Sequence, residues 1–188
     1  MKRILSLALI LVLVLSLVAC GGEEAKEEKY DIADSTALLT AAWDNVAEEN
    51  RFFSMGGDGT DAFVENAPGA YKTSDAEALE AVFGFPADQA ANIDNAASLM
   101  HGMMQNHFTA GAFHVKDAAK LDEVTAAIQK SLENMRWICG TPEMFAIYTV
   151  DDYVVSIYGL KQNVDNVSAA LKVAYPKVAT VCEKNIAE

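Results

Sequence analysis

Residues 108–158 read FTAGAFHVKDAAKLDEVTAAIQKSLENMRWICGTPEMFAIYTVDDYVVSIY, and the fold class turns on this stretch. Phe108 to Val115 alternates in size around Gly111 and predicts a strand with Phe113 and Val115 on one face. Asp117 can cap a helix, and behind it Leu121, Val124, Thr125, Ile128, Leu132 and Met135 recur as one apolar stripe. Gly140, Thr141 and Pro142 then break the chain. Two β-rich runs follow, Met144 to Val150 and Tyr153 to Tyr158, with Asp151-Asp152 between them as a hairpin turn.

Downstream, Val164, Val167, Leu171 and Ala174 mark a last helix that must stop or bend before Pro176. Strand, helix, hairpin, helix is most of a ferredoxin-like split arrangement with a right-handed crossover. The expectation is an α+β domain: an antiparallel-rich sheet with helices packed on one face. Upstream, Asp34 or Ser35 caps a helix whose Leu38, Leu39, Ala42, Trp43 and Val46 face the core. Gly56-Gly57-Asp58-Gly59-Thr60-Asp61 lacks the ligand register of a calcium loop and reads as a structural turn. Ser74 or Asp75 caps a short helix through Leu79 and Val82, closed by Gly84 and Pro86. Residues 34–188 thus make a single domain.

The first 20 residues have a different character. Lys2 and Arg3 precede an apolar run from Ile4 to Val18, and Leu17-Val18-Ala19-Cys20 closes it. A basic head, a short apolar core and a small residue before the cut are the parts of a secretory signal. The run is shorter than the roughly 20 residues a spanning helix needs. Leu17-Val18-Ala19-Cys20 resembles the lipobox of bacterial lipoprotein precursors. That resemblance implies removal of residues 1–19 and lipid attachment to Cys20, so that the protein is anchored on the extracytoplasmic face of a cell membrane. Several acyl chains hold durably where one holds only marginally. Residues 20–33, with Gly21-Gly22 and then Glu23, Glu24, Lys26, Glu27, Glu28 and Lys29, would form an acidic tether with too little apolar surface to fold. The order of elements over residues 35–175 also resembles a group of uncharacterised small lipoproteins of Gram-positive bacteria. No catalytic residues are established for that group, so the resemblance implies none here.

Charge narrows the partners. The chain of 188 residues carries a net charge of −13, and removing Lys2 and Arg3 leaves 12 basic against 27 acidic residues, a net −15. Nucleic acid and anionic headgroups repel such a surface, so neither is expected as a partner. The 169 residues from Cys20 onward suit one cored domain and are too few for a two-lobed solute-binding lipoprotein. With Cys20 assigned to lipid, Cys139 and Cys182 are candidates for a disulfide. It would close a loop of roughly 44 residues, worth about 4 kcal/mol on the chain-entropy model.

Chemistry-bearing residues are few. All three histidines fall within residues 101–114, and Met100, Met103, Met104 and His107 would share one face if that segment were helical. Thioether plus imidazole is a Cu(I) ligand set, while a methionine stripe at helical spacing is more commonly core filler. His114 reads as an outward-facing strand residue. Tyr148, Tyr153 and Tyr158 could offer a sugar- or peptide-binding surface, though strand packing accounts for them equally well. Nucleophile-elbow, zinc-protease, phosphate-loop and dinucleotide signatures are missing from the sequence. The leading expectation is a non-enzymatic binding or interaction domain without a cofactor, whose partner is an envelope protein, glycan or peptide. The alternatives are a copper-type metal lipoprotein using Met100, Met103, Met104 and His107, and an envelope enzyme.

Overall fold

The computed structural model describes residues 29–59, 63–138 and 140–186. The expected signal peptide, Cys20, most of the tether, Thr60, Asp61 and Cys139 lie outside the described residues. The chain divides after Tyr30, and the unit Asp31–Glu188 contains every element described below. Among the described residues, no helix is long and apolar enough to cross a membrane.

Local chemistry accounts for the first elements. Helix α1 (Ser35–Asp44) starts where the Asp34 carboxylate accepts the Ala37 N–H at 2.7 Å. Three short strands follow, β1 (Ser54–Gly56), β2 (Val64–Glu65) and β3 (Gly69–Tyr71). Ser98 pins the turn after β1: its hydroxyl accepts the Gly57 N–H at 2.8 Å and donates to the Gly57 carbonyl at 3.0 Å. The backbones of Gly56 and Gly69 meet so closely that a Cβ on either would overlap the other segment. Helix α2 (Ala76–Phe83) is capped by Asp75, and Gly84 ends it in the left-handed conformation at φ 63°.

The remaining elements are β4 (Ile93–His101), β5 (Phe108–Val115), α3 (Leu121–Asn134), β6 (Met144–Val150), β7 (Tyr153–Gly159), α4 (Lys161–Ala174) and β8 (Ala179–Asn185). A 3-10 turn capped by Asp117 leads into α3. Asp151, at φ 49°, turns the β6–β7 hairpin. The eight strands form one sheet in the order β2-β1-β4-β5-β7-β6-β8, with β3 sharing the outer edge of β4, and every pairing is antiparallel.

The class is α+β with an antiparallel sheet, but helices cover both faces rather than one. On the first face Phe113, Val115, Phe145, Ile147, Val154 and Tyr158 pack with Leu79 and Phe83 of α2 and Val124, Ile128 and Leu132 of α3. The alternate residues on the second face, among them Leu99, Ala110, Ala112, Tyr148, Val155 and Ile157, are equally buried. There α1 contacts β4 and β5, and α4 contacts β6 and β7. Ala97, Ala110 and Ala112 present small buried side chains on this face, where α1 packs against β4 and β5.

Handedness explains why both faces are covered. The β5-β7-β6 order matches a split ferredoxin-like unit, but β8 lies beyond β6, and the place beside β5 is taken by β4. The crossovers β5–α3–β6 and β7–α4–β8 therefore move the same way across the sheet from oppositely directed strands. With one common hand, their helices must fall on opposite faces.

Candidate functional site

The methionine–histidine segment is strand and turn, not helix. Met100 and His101 are consecutive residues of β4 and so point to opposite faces of the sheet. Met103 is 77% exposed and Met104 43%, on the bend that follows. Met100, Met103, Met104 and His107 therefore do not lie along one face of a helix, the arrangement that the copper-site reading assumes.

His101 acts instead as a clasp. Its Nδ1 accepts the backbone N–H groups of Met103 at 3.2 Å and Met104 at 3.3 Å. Its ring stacks on Phe52 at 5.3 Å and meets the edge of His107 at 5.4 Å. Burial, aided by His107, holds its pKa below the usual imidazole value, which favours the neutral form that can accept these bonds. A metal-bound imidazole ordinarily donates its second ring N–H outward. His101 uses Nδ1 as an acceptor, the opposite arrangement. Among the described residues, no group of three or more His, Cys, Asp or Glu side chains is placed to hold a metal ion.

On the opposite face of the sheet from the His101 side chain, under the β6–β8 edge, lies a groove of about 540 Å³ that the sequence did not announce. Its apolar wall consists of Leu132, Met135, Trp137, Phe145 and Ile186, and its polar rim is Glu133, Lys184 and Asn185. Helix α3 ends at Asn134, and Met135 takes an extended conformation that carries Trp137 back over the sheet. The indole packs tilted against Tyr158 at 4.8 Å. Tyr158 is fixed from behind, donating its phenolic hydrogen to the Val82 carbonyl at 2.7 Å. Asn106 holds the next stretch by donating to the carbonyls of Ile138 at 2.8 Å and Gly140 at 2.5 Å. On the rim, Glu133 is paired with Lys184 and also accepts from Gln129 at 2.9 Å. These hydrogen bonds, that of Lys184 foremost, hold the Glu133 carboxyl below its ordinary pKa, and Glu133 raises that of Lys184. An aromatic and aliphatic wall with a few convergent polar groups is the usual make-up of a ligand pocket.

A third feature sits at the other end of the sheet. His114 Nδ1 and Asp94 Oδ1 are 2.7 Å apart beside the Tyr153 ring, in an open cavity of about 510 Å³ that Asp34 and Asn95 also line. An oriented imidazole is half of a general-base arrangement. The nearby Ser35 hydroxyl is buried without a hydrogen-bond partner, and the Ser35 N–H donates to the Asn95 side chain at 2.7 Å. His114, read from sequence as a lone outward residue, thus has a carboxylate partner contributed by β4.

The other candidates resolve simply. Tyr148, Tyr153 and Tyr158 are all buried, so packing accounts for them. Trp43 is buried in the core, its indole N–H donating to the Asn66 carbonyl at 2.9 Å. Cys182 on β8 is a free, half-buried thiol whose pKa is raised by that burial, and Cys139 lies outside the described residues. Comparison with protein-family models, with curated proteins and with solved structures finds no match for this chain.

Proposed function

We propose that this chain is a lipoprotein anchored through Cys20 on the extracytoplasmic face of a cell membrane, and that its domain is a non-enzymatic binding module. The single observation that carries the binding reading is the Trp137 groove: an aromatic wall, braced by Tyr158 and Asn106, opening beside a charged rim. Leu17-Val18-Ala19-Cys20 supports the anchor. The anchored domain would meet an envelope protein, peptide or glycan, and its net negative charge disfavours nucleic acid. Of the alternatives, an enzyme would have its best foothold in Asp94 and His114, which offer an oriented base.

Expression in a bacterial host with labelled palmitate tests the anchor. Label should appear on the wild-type chain and vanish in Cys20→Ala, which should leave the membrane fraction. Equal labelling of both chains would contradict the anchor. The binding reading is tested with a panel of oligosaccharides and short peptides against the wild type and Trp137→Ala. At least one compound should bind the former and lose affinity for the latter by about tenfold. A panel bound equally by both chains would contradict it.

A further inference from the structure

Resting on that reading of the Trp137 groove, we propose that the ligand is an extended peptide segment that adds as a ninth strand to the outer edge of β8 and places an apolar side chain in the groove.

Among the described residues, strand β8 ends the sheet: β6 is its neighbour on one side, and every residue from Ala179 to Asn185 except Cys182 is exposed. Such an edge offers alternating N–H and C=O groups to a chain lying about 4.8 Å away. An extended polypeptide is the partner whose backbone matches that alternation.

The groove lies under the same part of the edge. Lys184 pairs in register with Phe145, so both side chains project from the groove face of the sheet. A strand laid outside Lys184 would send every second side chain to that face, alongside Trp137. The first half of β8 is less suitable. The register shifts between Ile147 and Tyr148, leaving Val181 opposite no β6 residue, and such a bulge twists an edge away from further pairing. The docking segment is therefore Cys182 to Ile186.

Charge points the same way. Exposed edges are ordinarily guarded by proline or by charged side chains that repel an incoming strand. There is no proline in β8. Its two charged side chains are drawn back onto their own domain, Lys184 by Glu133 on one face and Glu183 by Lys172 and Tyr148 on the other. Among the described residues no strand pairs with the backbone edge between them, and the paired charges favour an uncharged, apolar-bearing segment.

The test uses the full chain in detergent and a labelled peptide, acetyl-Thr-Val-Thr-Leu-Thr-Val-Thr-amide, followed by fluorescence anisotropy. Strand addition predicts saturable binding, weakened about tenfold by Trp137→Ala and abolished when the peptide is N-methylated at every residue. Amides of residues 182–186 should gain hydrogen-exchange protection. Trp137→Phe, which keeps an aromatic wall, should fall between the two and guards against a misfolded alanine variant. Binding that depends on Trp137 but ignores N-methylation would overturn strand addition while sparing the groove. Binding indifferent to Trp137, or none at a concentration that saturates a Kd of about 1 mM, would overturn the proposal. So would self-association that protects β8 and leaves the peptide no effect, since the occupant would then be a second copy.

Discussion

Two connections lie side by side at one end of this sheet, residues 101–107 and 135–142, tied together by the Asn106 amide. The first holds the residues with the more conspicuous chemistry, yet its histidines are taken up in ring packing and backbone hydrogen bonds. His101 accepts two backbone N–H groups, stacks on Phe52 and meets His107. The second holds little that a motif search would select, yet it leaves Trp137 on the wall of an open groove. What distinguishes a site from a scaffold here is unmet capacity in the fold, not the rarity of the residue types.

If the groove depends on its bracing, damage to the brace should cost stability and affinity together. The largest effect is expected for Tyr158→Phe, which leaves the Val82 carbonyl without its donor. Thermal or denaturant unfolding should show a loss of about 1–2 kcal/mol. An unchanged midpoint would mean that the bond contributes nothing to the wall behind Trp137. Asn106→Ala removes the link between the two connections. A loss of about 1 kcal/mol is expected, together with faster hydrogen exchange in residues 136–142 and undisturbed exchange at Met103 and Met104. Equal disturbance of both connections would show that they form one unit and not two.

The smallest effect concerns His101 and is read in its pH dependence. The folded pKa of His101 is depressed below the ordinary 6.5, so within that window the unfolded chain binds more protons than the folded one. The contribution of neutral His101 is complete above the unfolded pKa and is lost as pH falls toward the folded value. His101→Phe keeps a ring against Phe52 and cannot titrate. Its stability curve should be flatter than that of the wild type between about pH 6.5 and the folded pKa. Identical slopes would mean that the clasp does not respond to protonation.

The legible part of the fold was the part with strong periodicity. Residues 108–175 combine clean two-residue alternation with well-marked apolar stripes, and β5, α3, the hairpin and α4 appear within a few residues of their expected bounds. Strand β4 was missed because both of its faces are buried. Ala96, Ala97, Ser98 and Leu99 carry no apolar–polar alternation, while Met100, Met103 and Met104 imitate helical spacing across a strand and a bend. Strand β8 was missed because it is exposed and its alternation is broken at Val181. Helices on both faces could not be foreseen without knowing that β8 crosses beyond β6, a choice that no local pattern encodes.

The same gaps hid the sites. Asp94 and His114 are 20 residues apart and meet only through the β4–β5 register and its irregularity at Asp94. The Trp137 groove needs Lys184 and Asn185 from the unforeseen β8, Ile186 just past its end, and Leu132 from a helix read only as core. A signal was present in Trp137 itself, an aromatic residue between a helix end and the Gly140-Thr141-Pro142 break, where nothing local would bury it.

The most direct test of the groove against the clasp is one titration of the labelled heptapeptide into the wild-type chain, Trp137→Ala and the double variant Met103→Ala/Met104→Ala. Affinity should fall about tenfold in the first variant and stay at the wild-type level in the second. Unchanged affinity in Trp137→Ala with loss in the methionine variant would contradict this account and return the binding role to the methionine–histidine connection.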